Sequence, residues 1–511
     1  MRFVCLVACF APLPLSAFPE IGFLQFKVEH NLETSDCLAT GSCFFQFEER
    51  DDLAPWLNEI ESASNLAVLH WDQGIPWLAF DLNLPSGQDR IAYYDARLDP
   101  ATVAWLDTFS AHFASLGRGY LAVSLLNGER NGLAPVYLDP TARVEIPDLC
   151  PSLSPGTQVV VNPGTGPVSF DIERSYLNFL RYLIAKLSPN YVGLVVEANL
   201  LETKCPGQAS GLYALYRNLY DVLEAELDPK PYLFATLSLP PLLDYARSAC
   251  FPTSSFLPCS FPPAGPAPSA GPAACFPKSL GAIAELNLGG RLDVLALSLY
   301  PDGFEMNPAS DGSISSEAFL LADWNGGGAC SARLTWPSVE DPLAAIETLG
   351  WTGPIAFAET SDRSCPSPLR FDLPNPGGAP DPLEYVFSLP GSPALQAEWT
   401  SRTLRTAIEN DYLFYAHAFL RDYPPVGPWV VDQGVFPIAG AQLVNTWPCS
   451  GIQDAAGALK PEMAAIGLPE PSGLCLIASG VVALAGIGRR RLSLPLRASP
   501  QPQLLRGASR F

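Results

Sequence analysis

Two glutamates stand at the ends of apolar runs, in Val195-Val196-Glu197-Ala198-Asn199 and Ala356-Phe357-Ala358-Glu359-Thr360. A carboxyl at the end of a buried strand sits at the edge of a core, where partial desolvation and neighbouring charges can tune its proton affinity. Two such groups facing each other can divide into a proton donor and a base or nucleophile. A third run, Leu297-Ser298-Leu299-Tyr300-Pro301, ends in a tyrosine followed by a proline.

Rival chemistries lack their residues. The four histidines, at 30, 70, 112 and 417, give no H-x-x-x-H or similar spacing, so a histidine-rich metal site is not expected, and neither is any cofactor. There is no G-x-S-x-G elbow, no G-x-x-x-x-G-K-[ST] loop and no dinucleotide fingerprint.

The glutamates need strands to hold them. Continuous apolar runs, the mark of strands buried on both faces, occur at 43–47, 66–69, 120–125, 192–196, 232–237, 292–297, 354–358 and 412–416. Phe23 to Val28 competes with Cys43 to Phe47 for the first place. Helical patterns fill the intervals at 51–63, 100–116, 172–187, 211–227, 279–286, 339–349 and 395–410, and Asp99-Pro100 and Asp171 supply helix-start chemistry. Eight strands alternating with helices predict an α/β chain folded as a closed (β/α)8 TIM barrel, whose site lies at the C-terminal ends of the strands. Long loops at that face are expected from the Pro-rich stretch 251–272, bracketed by Cys250 and Cys275, and from the Pro/Gly-rich stretch 366–382.

With glutamates ending strands four and seven and Tyr300-Pro301 on strand six, residues 66–466 resemble the clan A glycoside hydrolases. The resemblance implies a retaining hydrolase of O-glycosidic bonds in a polysaccharide or oligosaccharide, with Glu359 as nucleophile and Glu197 as acid/base. It implies carboxyls about 5 to 5.5 Å apart. The family places Asn directly before its acid/base glutamate to hold the sugar 2-hydroxyl. Here Val196 takes that place, so either Asn199 does the job from a neighbouring position or the register slips and Glu202 is the acid. Trp71, Asp72 and Trp77, in His70-Trp71-Asp72-Gln73-Gly74-Ile75-Pro76-Trp77, suit a sugar subsite in which indoles stack on apolar sugar faces; Trp77 as core is the competing reading. Tyr300 and Trp447 complete the expected binding residues. A non-catalytic carbohydrate-binding or structural surface protein on the same barrel is the alternative function.

Both termini carry addresses. Arg2 and the apolar stretch Phe3 to Leu15, followed by Ser16 and Ala17, predict a signal peptide over 1–17, with a lipoprotein box ending at Cys9 as the lesser option. Pro469-Glu470-Pro471, an uncharged apolar run from Gly473 to Ile487 and Arg489-Arg490-Arg491 resemble, in that order, the PEP-CTERM sorting signal. That resemblance implies an inner-membrane intermediate, handling by an exosortase and signal peptidase, and a final place at the cell surface or in the extracellular matrix of a Gram-negative bacterium. The expected organisation is 1–17 signal, 18–465 barrel, 466–491 sorting and transmembrane segment, and 492–511 basic cytoplasmic tail.

Composition agrees with export. Thirteen cysteines without a C-x-x-C pair suit disulfides in an oxidising compartment, with Cys37–Cys43 and a pair among Cys250, Cys259 and Cys275 expected locally. The 52 acidic against 30 basic residues give a net charge of −22, which would repel nucleic acid. A hydrophobic content of 48% argues for a large packed core.

Overall fold

The computed structural model describes residues 19–25, 53–242, 281–300, 342–373, 383–389, 392–422 and 449–464, apart from short gaps within these ranges. Eight parallel strands form its centre: β1 (Glu20–Phe23), β2 (Ala67–Trp71), β3 (Gly119–Val123), β8 (Tyr191–Val195), β9 (Tyr232–Ser238), β10 (Leu295–Leu299), β11 (Ile355–Thr360) and β14 (Phe414–His417). They pair in the order β1-β14-β11-β10-β9-β8-β3-β2. The seam between β1 and β2 carries one parallel bridge, Gly22 to Leu66, and the Leu66 N–H donates to the Ile21 carbonyl at 3.1 Å. The chain is therefore a nearly closed eight-stranded parallel barrel. Its first strand is Glu20–Phe23, upstream of both expected positions; Phe23–Val28 overlaps it only at Phe23, and 26–28 and 43–47 lie outside the described residues.

The helices form where the periodicity places them. In Pro100–Leu116 the Asp99 carboxylate accepts from the Ala101 N–H at 2.8 Å, proline occupies the first turn, and Gly117 ends the helix with φ 66°. In Ile172–Leu187 the Asp171 carboxylate caps the Arg174 N–H at 2.8 Å, and Tyr176, Phe179, Leu180 and Leu183 bury one face against the barrel.

Among the described residues, three antiparallel hairpins interrupt the alternation. Two of them, β4–β5 (Val136–Asp139, Ala142–Val144) and β6–β7 (Gln158–Val161, Val168–Asp171), lie between β3 and the helix Ile172–Leu187. The third, β12–β13 (Ser367–Leu373, Leu383–Leu389), brackets most of the stretch expected to be a plain loop after strand seven. Disulfides join Cys150 to Cys205 and Cys365 to Cys449. The locally expected cysteine pairs, the Pro-rich stretch 251–272 and the whole sorting segment lie outside the described residues. Among the described residues, no helix is long and apolar enough to cross a membrane.

Candidate active site

Both glutamates sit just after an irregularity in their strands. Between β8 and β9 the register passes from Gly193–Phe234 to Val195–Ala235, leaving Leu194 as an extra residue. Between β10 and β11 it passes from Leu297–Phe357 to Ser298–Glu359, leaving Ala358 extra. An extra residue resets the alternation of side chains and re-aims the residues beyond it, which is why such bulges gather beside active sites. Glu197 is further held at φ 49°, a left-handed conformation unusual for a side chain of its size, with its N–H donating to Thr236 Oγ1 at 2.8 Å.

The two carboxyls have different company. Tyr300 donates its hydroxyl hydrogen bond to Glu359 Oε1, and His70 Nδ1 lies 3.9 Å from Glu359 Oε2. Burial pushes the Glu359 carboxyl up to about 8, and the nearby Glu197 charge pushes in the same direction; Tyr300 and Arg130 pull against them. His70 is buried too, which lowers its pKa to about 4 and leaves its ring neutral near pH 7. Glu197 instead meets a cation: Arg130 Nε lies 3.3 Å from its Oε2.

Arg130 was not among the residues expected to act. It occupies the loop after β3, only 5% exposed, at φ 57°. Its Nη1 reaches Asp72 Oδ1 at 3.2 Å, Ser124 Oγ at 3.1 Å and the Asn127 carbonyl at 2.9 Å. No motif marks a lone arginine in a loop; its place depends on the turn Asn127–Arg130, closed by the Arg130 N–H on the Asn127 carbonyl at 2.9 Å.

Of the expected site residues, the structure brings Glu197, Glu359, Tyr300 and Asp72 together, and three others go elsewhere. Trp71 is 1% exposed, its ring edge-on to Trp105, Tyr137 and Phe179. Trp77 is fully buried, stacked on Phe170 with its Nε1 donating to the Ala134 carbonyl at 3.0 Å. Neither indole offers a face to a ligand; both are core. The Asn199 amide is spent on Ser238, donating to its carbonyl and accepting from its N–H, each at 2.8 Å, so it fastens the β8 loop to β9 instead of holding a hydroxyl. Glu202 lies in the helix Leu200–Lys204, where its charge acts on Tyr213 of the outer helix Ala209–Glu226 rather than on Glu359. Trp447 is outside the described residues, as are the sorting-motif residues Pro469, Glu470, Pro471, Arg489, Arg490 and Arg491.

No family model matches the chain, and no curated protein matches it. Solved structures similar to it include fungal β-1,4-galactanases, at 12% identity and TM-score 0.35 over 81% of this chain and 90% of theirs. An exo-β-1,4-mannosidase from Opitutaceae bacterium strain TAV5 aligns at 13% identity and TM-score 0.39, over 90% of this chain and 60% of its own. A GH5_18 protein from Bifidobacterium longum subsp. longum, solved with Manβ1-4GlcNAc, aligns at 11% identity and TM-score 0.44, over 93% of this chain and 79% of its own.

Proposed function

We propose that the chain is an exported glycoside hydrolase-like enzyme that cleaves O-glycosidic bonds of an extracellular polysaccharide by a retaining, two-glutamate mechanism. One observation carries the reading. Glu197 and Glu359 end barrel strands on the site face, close enough that the charge of one helps to keep a proton on the other. A pair holding one proton near neutral pH is the state such hydrolysis starts from, with one carboxyl to protonate the leaving oxygen and one carboxylate to attack the anomeric carbon. Tyr300, bonded to Glu359, and Arg130, bonded to Glu197, fix the two carboxyls in place.

The disulfides Cys150–Cys205 and Cys365–Cys449 suit an oxidising compartment, in keeping with the proposed signal peptide and PEP-CTERM tail. The proposed route runs through signal peptidase and an exosortase to the cell surface or matrix. The deciding experiment incubates the purified protein, Glu197→Gln and Glu359→Gln with a panel of β-glycans, measuring reducing ends and sugar binding. Release of reducing ends by the wild type, lost in both variants, is the expected result. Binding without release, equal in all three proteins, sinks the enzyme reading and leaves a carbohydrate-binding protein.

A further inference from the structure

Two braces run to the carboxyl pair. Glu197 is reached by Arg130, whose Nη1 is held by Asp72, Ser124 and the Asn127 carbonyl. The loop that carries this arginine is tied down at the next residue, where the Cys150 N–H donates to the Asn131 carbonyl at 2.7 Å. Cys150 is in turn bonded to Cys205, at the end of the helix that follows Glu197. Glu359 is reached instead from the seam of the barrel, through Gln25 and His70.

Gln25 stands just beyond β1 and is 1% exposed. The Leu24 N–H still donates to the His417 carbonyl at 2.9 Å, so the join to β14 continues to this point. Across the seam, the bridge from Gly22 to Leu66 lies at the far end of β2, and the Gln25 side chain supplies bonds at the site end. Its Nε2 donates to the His70 carbonyl at 2.6 Å and its Oε1 accepts from the His70 N–H at 3.0 Å. A side-chain amide presents a donor and an acceptor side by side, as a peptide unit does, so it can stand in for a rung of the ladder. The Gln25 carbonyl accepts from Trp56 Nε1 at 2.9 Å, which fastens the clamp to the helix Leu53–Ala63. From the other side of β2, the Ser124 N–H donates to the Trp71 carbonyl at 2.9 Å.

The residue so held belongs to the site. Trp71 turns outward onto Trp105 and Phe179, and by the alternation of a strand its neighbour His70 turns inward. There its Nδ1 lies 3.9 Å from Glu359 Oε2, while Tyr300 bonds the other oxygen of the same carboxyl. Burial keeps the ring neutral, so it has one donor and one acceptor nitrogen. Resting on the hydrolase reading, with Glu359 as the nucleophile that the family resemblance implies, we infer that Gln25 is a positioning residue: by clamping the His70 peptide it sets the imidazole against Glu359 Oε2 and so, together with Tyr300 on Oε1, aims the carboxylate that attacks the anomeric carbon. Gln25 acts wholly through His70. Misplacing a reacting group by about 1 Å can cost roughly a hundredfold in rate, so a clamp on the backbone of its neighbour is felt in the chemistry.

The first measurement needs no substrate. The full protein is labelled with ¹⁵N in its histidine rings, and the His70 signals are assigned through His70→Asn. Glu359→Gln should move the His70 Nδ1 signal. In Gln25→Met, which keeps the side-chain length and loses both bonds, the same substitution should no longer move it. Gln25→Glu at about pH 5, where burial keeps a carboxyl protonated, retains a donor and an acceptor and should restore the response. A His70 signal indifferent to Glu359 in the otherwise wild-type protein overturns the proposal, and that result needs no Gln25 variant to fold. An equal response in Gln25→Met overturns it too. The second measurement is kinetic, on whichever β-glycan of the panel the wild type cleaves fastest. Gln25→Met should lower kcat by roughly ten- to a hundredfold with KM nearly unchanged, and Gln25→Glu should recover most of that loss at about pH 5. In a His70→Asn background Gln25→Met should cost nothing further, as expected of a residue that acts through another, and losses that multiply overturn the proposal. A wild type that cleaves no glycan is a failure of the hydrolase reading alone; the His70 signal then still decides whether Gln25 sets the imidazole on Glu359.

Discussion

At the scale of single residues, the raised affinity of Glu359 for its proton predicts how stability depends on pH. Its carboxyl moves from the usual 4.5 to about 8 on folding. Between these values the folded chain keeps a proton that the unfolded chain has released, so stability falls as pH rises through the window and levels off above it. Glu359→Gln has no proton to lose and escapes this decline. The variant should match the wild type near pH 4 and exceed it above pH 8 by on the order of 3 kcal/mol, a value below the full shift because Glu197 is coupled to the same site. Urea unfolding midpoints of the two proteins across that range check it; parallel curves would show that Glu359 ionises freely in the fold. Glu197, Glu359 and Tyr300 were legible in the sequence because each follows an apolar run ending at the barrel face. Arg130 was not, since its reach to Glu197 depends on a turn and a disulfide between distant loops. Trp71 and Asn199 were misread, and Trp77 took the core reading that competed with the subsite, for a related reason: composition at a strand end does not say whether a side chain faces the site or the surrounding core.

At the scale of elements, the seam of the barrel is its least bonded join, and one glycine lets it close. A Cβ on Gly22 would lie 2.8 Å from the Leu66 carbonyl oxygen and 2.5 Å from Val68 Cγ2, so β1 could not approach β2 as it does. Backbone on one side and a buried β-branched side chain on the other leave little room for adjustment. Gly22→Ala should therefore destabilise the protein by about 1–3 kcal/mol, the usual range for overpacking. Gly207→Ala, where an added Cβ meets nothing within 4 Å, serves as the control in the same denaturation experiment. Equal midpoints for both variants would mean that the seam opens at no cost. Strands two to eight and their helices could be located from periodicity because each is long and apolar enough to be recognised alone. The four-residue first strand was not, since Glu20–Phe23 is defined by its pairing with β14 and not by its own pattern. The bulges at Leu194 and Ala358, which aim the two glutamates, are likewise properties of strand pairs.

At the scale of the whole molecule, a buried lysine joins segments nearly a hundred residues apart. Lys460 Nζ donates to Ser364 Oγ at 2.8 Å, Gln396 Oε1 at 2.9 Å, Asp422 Oδ1 at 2.8 Å and the carbonyls of Cys449 and Gly451 at 3.1 and 2.7 Å. The ammonium thereby connects the segments following β11 and β14, the helix Pro393–Glu409 and the close of the described barrel, beside the disulfide Cys365–Cys449. Nothing in the order of these residues along the chain announces that they meet. Removing the charge should cost more than the lost hydrogen bonds, because Asp422 would remain buried without its cation. Burial already raises the Asp422 pKa, with Lys460 pulling it down. In Lys460→Met the opposing pull is gone, so Asp422 takes up a proton more readily and the penalty shrinks as pH falls. The expected loss is about 3–5 kcal/mol at pH 8, the range for breaking a buried ion pair, and clearly less near pH 5 (an ordinary value for partial protonation of a buried carboxyl). Adding Asp422→Asn to Lys460→Met should recover part of the loss at the higher pH only. Unfolding curves for the wild type and both variants at the two pH values decide the matter, and a penalty independent of pH would show that the lysine acts through packing and hydrogen bonds, without a contribution from its charge.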